Sequence, residues 1–303
     1  MQQLTYPISS LIVFNIINKI KPDIVQCQHT HHLVAAYLAN KNLKIPYILS
    51  LHGAIYGDLL FPLPFFLKKY WNKLPIISHV SETLCLTEDA QNMAKSLIGG
   101  KLTIIPNGVN QSLFSPLYAS NIRKNIELIC VSRLVTNKGL EDAICSMEFV
   151  VNKYPDAILR FVGAGPLHGS LVNLVNSLHL EKNVIFSGAC KQEEVASYYN
   201  QARIFILPSL SEGFPLTVLE ACSCGLPIIL TPFQGAEEFI AQNNCGIIVP
   251  FSSPKNIANS VIQILENPTL EKTFICNSLL IAEERSWSQI SKDYLNCYSR
   301  WCR

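Results

Sequence analysis

The chain has 303 residues, of which 49% are hydrophobic and 15% are charged. This length suits two domains, and so much apolar surface excludes an intrinsically disordered chain. The formal net charge of +2 gives no electrostatic reason to expect a nucleic-acid partner.

Eleven cysteines are scattered singly along the chain, and their odd number argues against a secreted disulfide scaffold. Cys222 and Cys224 form a C-x-C without the second pair that a zinc site needs. We therefore expect most cysteines to be small buried hydrophobes in a reducing, cytoplasmic protein.

The first element is an apolar segment, Ile8 to Ile17, which is shorter than a membrane span and follows no basic residue. Asn15, Asn18 and Lys19 interrupt its apolar character, which is typical of an amphipathic helix. Nothing else in the sequence is long and apolar enough to span a membrane.

Short β-branched runs alternate with helical stretches after this helix, as in parallel α/β proteins. Four strands are predicted in the first part of the chain: Ile24 to Gln28, Tyr47 to Ser50, Ile76 to Val80, and Leu102 to Ile105. The turn Pro106-Asn107-Gly108 and a polar segment from Asn110 to Ser120 then break the pattern. We place the first domain at residues 1–118.

Six further strands indicate a second parallel sheet, covered by helices on both faces. They are Leu128 to Val131, Leu159 to Val162, Val184 to Phe186, Ile204 to Leu207, Ile228 to Leu230, and Ile247 to Val249. Closing helices are predicted at Pro254 to Glu266 and Trp287 to Trp301. The fold class is therefore α/β, with two Rossmann-like doubly wound domains. The second covers residues 119–285, and a closing segment covers 286–303.

Ligands of such sheets bind outside the carboxyl ends of the strands, which makes the loops there the candidate site. Arg133 and Lys138 follow the first strand of the second domain, five positions apart in one loop. Two cations so placed can hold a pyrophosphate whose charge rises as its bond to a sugar breaks. Taken alone, the loop also fits two solvated surface charges.

Glu212 and Glu220 stand eight positions apart, after the strand that ends at Leu207. Gly213 permits a close backbone approach, and the amides near Leu216 and Thr217 form a helix N-terminus that suits a phosphate. Carboxylates accept hydrogen bonds from the hydroxyls of sugars and ribose.

This pattern resembles that of family-4 glycosyltransferases, which are retaining enzymes of the GT-B fold. The segment Glu212 to Glu220 is similar to their E-x7-E motif. Further matching segments are Arg133 to Gly139 (R-L-x-x-x-K-G), Gly163 to Pro166 (G-x-G-P), Phe186 to Gly188 (F-x-G), Ile105 to Val109 (I-P-N-G-V), and the closing helix Glu283 to Tyr298 with Trp287. The resemblance covers nearly the whole second domain, in order.

The resemblance implies that Arg133 and Lys138 hold the diphosphate and that Glu220 binds the ribose hydroxyls. Glu212 and the backbone that follows it would bind the transferred sugar and its phosphate; that backbone comprises Gly213, Phe214, Pro215, Leu216 and Thr217. Gly165 and Gly188 would lie near the base.

In the first domain, His29 and His52-Gly53 follow strands where the family often carries histidines. The resemblance implies that His52 faces the donor sugar, so the catalytic set would be His52, Glu212, Arg133 and Lys138. His29, His31 and His32 do not read as a metal site, because their spacing does not converge three imidazoles.

The resemblance implies a retaining hexosyltransferase that uses a UDP- or GDP-sugar, with no catalytic metal and no cofactor besides this donor substrate. The acceptor would be a glycan, a lipid-linked sugar or a small molecule, as in polysaccharide biosynthesis. Two alternatives stay open: a sugar-nucleotide epimerase of the same fold, and a sugar-nucleotide-binding protein with weak or no catalysis.

A glycine pair, Gly163 and Gly165, also resembles part of the dinucleotide fingerprint of NAD(P) oxidoreductases. The third glycine of that fingerprint would fall on His168, and the next strand ends without an acidic residue for a ribose. We therefore disfavour an oxidoreductase.

A segment from Leu59 to Trp71 mixes Phe, Leu and Pro residues with a basic end at Lys68, Lys69 and Lys73. One interpretation is peripheral contact of Leu59 to Lys73 with the inner face of a membrane that carries a lipid-linked acceptor. The alternative, which we favour, is a core helix with a solvated tip.

The first domain is predicted to have four strands against six in the second, and it opens on a helix. The family normally begins with a strand and a glycine-rich loop, and no such loop occurs before His29. We therefore expect the first domain to lack about 60 residues, at roughly 30 per strand–helix unit, with weak or absent catalysis.

Overall fold

The computed structural model describes residues 6–28, 30–52, 74–95, 98, 100–117 and 125–302. The chain divides into two compact units, one formed by Met1–Asn107 with Ser288–Arg303 and the other by Gly108–Trp287. The sequence predicts these two domain boundaries at 118/119 and 285/286. The first boundary lies earlier in the structure because Val109 pairs with Ser286, and the Val109 N–H donates to the Arg285 carbonyl at 2.8 Å.

In the first unit, the described residues form a parallel sheet of four strands in the order β1-β2-β3-β4. The strands are β1 Val25–Cys27, β2 Tyr47–Ser50, β3 Glu82–Cys85 and β4 Lys101–Ile104. The helices are α1 Tyr6–Ile20, α2 Leu33–Leu43, α3 Pro75–Ser78 and α4 Glu88–Lys95, with a 3₁₀ turn at Thr30–His32. The predicted opening helix is confirmed, as are three of the four predicted strands, each within one residue at either end.

The strand predicted at Ile76 to Val80 is wrong, because α3 occupies this position. Pro75 is the first residue of the helix, where its missing N–H and fixed φ cost nothing. The third strand instead begins at Glu82 and Thr83, which are polar but fully buried. A search for apolar runs therefore selected the helix and missed the start of the strand.

Glu82 holds the C-terminal end of the chain against this sheet. Its carboxylate accepts hydrogen bonds from Arg300 Nη2 at 2.6 Å and Trp301 Nε1 at 2.6 Å, and another from Thr103 Oγ1. Burial alone would raise the pKa of Glu82, but hydrogen bonds from Arg300, Thr103 and Trp301 outweigh burial and keep the pKa below its ordinary value.

The second unit contains a parallel sheet of six strands in the order β10-β9-β8-β5-β6-β7. The strands are β5 Glu127–Val131, β6 Ile158–Val162, β7 Val184–Phe186, β8 Ile204–Leu207, β9 Ile228–Leu230 and β10 Gly246–Ile248. All six predicted strands are confirmed, three of them with the same bounds.

Helices connect these strands and cover the sheet. They are α5 Leu140–Lys153, α6 His168–Ser177, α7 Gln192–Gln201, α8 Leu216–Ser223, α9 Ala236–Asn243, α10 Pro254–Glu266 and α11 Pro268–Glu284. The last helix, α12 Trp287–Ser299, belongs to the first unit from Ser288 onward. Helix α10 begins at Pro254 and packs its buried Ile257, Val261 and Ile264 on the side of α5. Both predicted closing helices are confirmed, whereas α11 was not predicted.

The order of strands changes direction at β5, which pairs with β6 on one side and β8 on the other. Because all strands are parallel and β5 and β8 are neighbours, the loops after these two strands begin side by side at the same edge of the sheet. This is the position at which doubly wound sheets bind ligands.

No helix in the described ranges is long and apolar enough to cross a membrane. The segment Leu59 to Lys73, for which peripheral membrane contact was considered, lies outside those ranges.

We expect Glu82→Gln to lower the free energy of unfolding by about 2 kcal/mol at neutral pH, a value that allows for the partial exposure of Arg300. Since the folded pKa of Glu82 is lowered, its stabilisation is present above the unfolded pKa of roughly 4.3 and is lost as the pH falls further. Urea unfolding from pH 7 to pH 3 measures this. The exposed Glu88 gives the control Glu88→Gln, and equal loss in both variants would contradict the assignment.

Candidate nucleotide-binding site

Two loops meet at the carboxyl edge of the second sheet. The first runs from Ser132 to Gly139 and includes a 3₁₀ turn at Thr136–Lys138, and the second runs from Pro208 to Pro215. Leu210 N–H donates to the Asn137 carbonyl at 2.8 Å, so the two backbones are in direct contact.

Gly139 makes this contact sterically feasible. Its φ of +62° lies in the left-handed region, and a Cβ at this position would stand 2.1 Å from the Pro208 carbonyl oxygen. Any side chain would therefore separate the two loops.

Lys138 and Glu212 form an ion pair that joins the two loops, with Lys138 Nζ donating to Glu212 Oε1. Each side chain is only 11% exposed. The structure thus brings together two residues that the sequence selected from loops 74 positions apart. Because little water screens this pair, the attraction between its two charges is stronger than in a solvated pair and fixes both side chains at the edge of the sheet.

Arg133 lies on the same loop as Lys138, and its side chain is exposed. The first loop therefore offers one shielded and one exposed cation. The alternative that both cations are solvated surface charges therefore does not hold for Lys138.

Glu220 lies in α8 and is fixed by a residue that sequence reasoning missed. Tyr199, in α7, is fully buried, and its hydroxyl lies 3.2 Å from both Glu220 Oε2 and the Thr217 carbonyl oxygen. Burial raises the pKa of Glu220, although the hydrogen bond from Tyr199 lowers it by a smaller amount. The sequence shows Tyr199 only as an aromatic residue on the buried face of a helix. An ordinary core residue has the same pattern, so the contact with Glu220 could not be predicted.

Phe214 sits between the two glutamates with a φ of +92° and a ring that is 4% exposed. This ring packs edge-on against Phe239 at a centroid distance of 4.9 Å. A bulky residue rarely adopts a positive φ, and buried packing of its side chain is the usual reason that it persists. Phe214 therefore anchors the segment that carries Gly213, Pro215 and the start of α8.

The glycine pair in the G-x-G-P segment serves loop packing. An added Cβ would stand 1.9 Å from the Ser132 carbonyl oxygen at Gly163 and 2.3 Å from that of Leu134 at Gly165. Leu134 N–H also donates to the Ala164 carbonyl at 3.0 Å. These glycines allow the loop after β6 to support the loop that carries Arg133.

Gly188 differs from this pair. It has a φ of +73°, and an added Cβ would meet no atom within 4 Å. The surroundings of Gly188 therefore leave room for a ligand. The assignment of Gly188 and Gly165 to the neighbourhood of the base stays a prediction.

His52 belongs to the first unit, where it follows β2, and its Nε2 hydrogen-bonds with Gln28 Oε1 after β1. Its assignment to the donor sugar stays a prediction. His29, Gly53 and the side chain of His31 lie outside the described residues. Among the side chains that the structure does describe, no three His, Cys, Asp or Glu residues converge on one point.

Comparison with protein families gives two matches along the chain. A model described as glycosyl transferases group 1 matches residues 119–279, and one described as glycosyltransferase family 4 matches residues 3–113. The first match covers the sheet, the two loops and Glu220.

Similar curated proteins are also glycosyltransferases. An uncharacterized glycosyltransferase of Methanocaldococcus jannaschii is 26% identical over 90% of this chain and 74% of its own length. A GDP-mannose-dependent α-(1-6)-phosphatidylinositol monomannoside mannosyltransferase of Mycobacterium tuberculosis is 28% identical over 54% of this chain and 46% of its own.

Solved structures match over nearly the whole chain. Sucrose-phosphate synthase from Thermosynechococcus elongatus has a TM-score of 0.80 at 19% identity, covering 98% of this chain and 78% of its own. HepE from Anabaena, in complex with UDP, has a TM-score of 0.79 at 19% identity, covering 96% and 82%. These likenesses confirm the predicted fold class, two α/β units of the GT-B type.

We expect Gly163→Ala to lower the free energy of unfolding by on the order of 3 kcal/mol, because its φ of +138° and the Ser132 carbonyl both exclude a Cβ. The matched control is Gly169→Ala in α6, where an added Cβ meets nothing within 4 Å. Because Gly169 is the second residue of α6 and not in its middle, this control should change the free energy of unfolding by less than about 1 kcal/mol. Urea midpoints measure both, and equal stability of the two variants would contradict the packing role.

Glu220→Gln should raise the melting temperature at pH 8, because the parent keeps a half-buried carboxylate charged. Because the pKa of Glu220 is higher in the folded protein, the protonated side chain favours folding over the charged one. This contribution to stability is present below the unfolded pKa of roughly 4.3 and is lost as the pH rises through the folded pKa. The difference between variant and parent should therefore shrink as the pH falls towards 4. The exposed Glu181 provides the control Glu181→Gln, and a variant less stable than the parent at pH 8 would refute this.

Proposed function

The chain belongs to the glycosyl transferases group 1, and from that premise we propose that it is a retaining hexosyltransferase with a nucleotide diphosphate sugar as donor. The observation that carries the proposal is the shielded Lys138–Glu212 pair at the carboxyl edge of the sheet, in which Glu212 lies four residues before the start of α8, the helix that contains Glu220. A cation, a carboxylate and backbone amides there suit a diphosphate joined to a sugar.

Each donor group has a candidate partner in the second unit. Lys138 and the exposed Arg133 bind the diphosphate, assisted by the backbone amides at the start of α8. Glu212 accepts hydrogen bonds from the hydroxyls of the sugar. Glu220, oriented by Tyr199, accepts those of the ribose.

Retention of the anomeric configuration would follow from attack on the face that the diphosphate leaves. The bond between the anomeric carbon and the phosphate oxygen breaks, and the acceptor oxygen bonds to the same face of that carbon. The acceptor proton passes to the departing diphosphate, whose growing charge Lys138 and Arg133 stabilise. These cations would fulfil the role that a metal ion has in other transferases, so we propose metal-independent transfer.

The donor is a UDP- or GDP-sugar. One relative is named GDP-mannose-dependent, and HepE was solved with UDP and with UDP-glucose, which supports both bases. The acceptor is proposed as a glycan, a lipid-linked sugar or a small molecule. The mannosyltransferase relative acts, by its name, on a phosphatidylinositol monomannoside, and another relative is named an N-acetyl-α-D-glucosaminyl L-malate synthase.

A product analysis tests the proposed function. The full chain is incubated with UDP-glucose or GDP-mannose and a panel of glycan, lipid-linked and small-molecule acceptors, with EDTA in a parallel set. Transferred sugar with the donor's anomeric configuration, formed equally with EDTA, supports the proposal. Epimerised donor, inverted product or loss of transfer with EDTA each rejects one part of it.

We expect Lys138→Met to lower kcat by about 10²–10³, since the lost cation faces charge that grows in the transition state. Lys153→Met is the matched control, because Lys153 also pairs with a glutamate, Glu266, on an exposed surface with the lysine 48% exposed. The control should keep nearly the parental kcat. Similar rates in the parent and a folded Lys138→Met would remove Lys138 from the diphosphate site.

A further inference from the structure

Arg285 lies against the aromatic anchor of the donor loop, which we define as Glu212 to Thr217. Its guanidinium carbon is 5.7 Å from the centroid of the Phe214 ring and 5.2 Å from that of Phe239. These two rings pack edge-on, so the cation contacts both members of the pair that fixes the donor loop.

The surroundings of Arg285 keep it in this place. Burial lowers the pKa of Arg285, and the neighbouring carboxylates of Glu238 and Glu284 counteract this effect. Arginine stays protonated in proteins even so. The half-buried guanidinium is therefore a permanent cation held over an aromatic surface.

The backbone of Arg285 is fixed by the segment at which the chain enters the second unit. Val109 N–H donates to the Arg285 carbonyl at 2.8 Å, and Trp287 N–H donates to the Val109 carbonyl at 3.2 Å. An added Cβ at Gly108 would stand 2.8 Å from the Trp287 ring, so this pairing is tight. The backbone of Arg285 is thus held by contacts outside the donor loop that its side chain touches.

We propose that Arg285 is a positioning residue for the donor loop: it holds Phe214 in its left-handed conformation and thereby places Glu212 and Gly213 for the donor sugar. This inference rests on the proposed function, since it assumes that the donor loop binds the sugar. Arg285 need not touch the donor, and it acts through the Phe214 ring.

The proposal separates two parts of the donor site. Glu212 and Gly213 directly precede Phe214, so a shift of Phe214 displaces them. Glu220 is instead held through its own hydrogen bond with the buried Tyr199. Loss of the Arg285 side chain should therefore weaken recognition of the sugar more than recognition of the nucleotide.

The test measures dissociation constants by calorimetry for UDP and UDP-glucose, or for GDP and GDP-mannose, whichever pair the parent binds. We expect Arg285→Met to raise the dissociation constant of the sugar nucleotide about tenfold and that of the bare nucleotide less than about threefold. Arg285→Lys keeps the charge and should give an intermediate ratio, and it replaces Arg285→Met if that variant does not fold.

Arg203→Met is the matched control for general destabilisation. Arg203 precedes β8 at the opposite end from the donor loop and binds Glu271 through two hydrogen bonds, at 2.6 and 2.7 Å. Its loss should lower stability and leave the ratio of the two dissociation constants at the parental value.

A parental ratio in a folded Arg285 variant overturns the inference while leaving the proposed function intact. An equal loss of both affinities overturns it too, since a purely structural role has that effect. If the parent itself binds none of the four compounds, the proposed function fails, and this inference fails with it.

Discussion

Contact between the loops that follow β5 and β8 is the constraint on which the rest of the candidate site depends. β5 and β8 are largely buried apolar strands that pair in parallel, and their pairing places both loops at one edge. The Lys138–Glu212 pair and the hydrogen bond from Leu210 to Asn137 then join the loops. The same contact makes a cation and a carboxylate available side by side, with little exposure to water.

Several features of the site reduce stability locally and are offset elsewhere in the unit. Phe214 has a positive φ, Glu220 remains a half-buried carboxylate, and Gly139 gives up the entropy of a flexible residue. The large buried core of the second unit supports them, with all four residues of β8 and all three of β9 buried. The positive φ of Phe214, beside Glu212 and Gly213, is consistent with a backbone shaped to receive a ligand.

Much of the fold could be predicted because strands buried on both faces leave continuous apolar runs, as at Ile204–Leu207 and Ile228–Leu230. That pattern is absent where a strand begins with buried polar residues, as at Glu82 and Thr83, so this strand could not be predicted. The burial of Glu82 depends on hydrogen bonds that include those from Arg300 and Trp301, more than 200 positions away in the sequence. No local pattern contains that information.

The candidate site divides in the same way. Arg133, Lys138, Glu212 and Glu220 could be selected as candidates because they lie in short segments with fixed spacing, and the structure pairs Lys138 with Glu212. Tyr199 and Arg285 were missed because they reach the site from α7 and from the end of α11, and a local window shows them only as a core tyrosine and a surface arginine. The packing role of Gly163 and Gly165 could likewise be recognised only once the position of the loop after β5 was known.

Hydrogen–deuterium exchange of the full chain, with and without UDP-glucose or GDP-mannose, tests most directly whether the joined loops form the donor site. The account predicts slower exchange on ligand binding in peptides that cover residues 132–140 and 208–220, and a smaller effect in Lys138→Met. Protection confined to other parts of the chain, such as the β1–β4 sheet at residues 25–50 and 82–104, with no change in either loop, would contradict it.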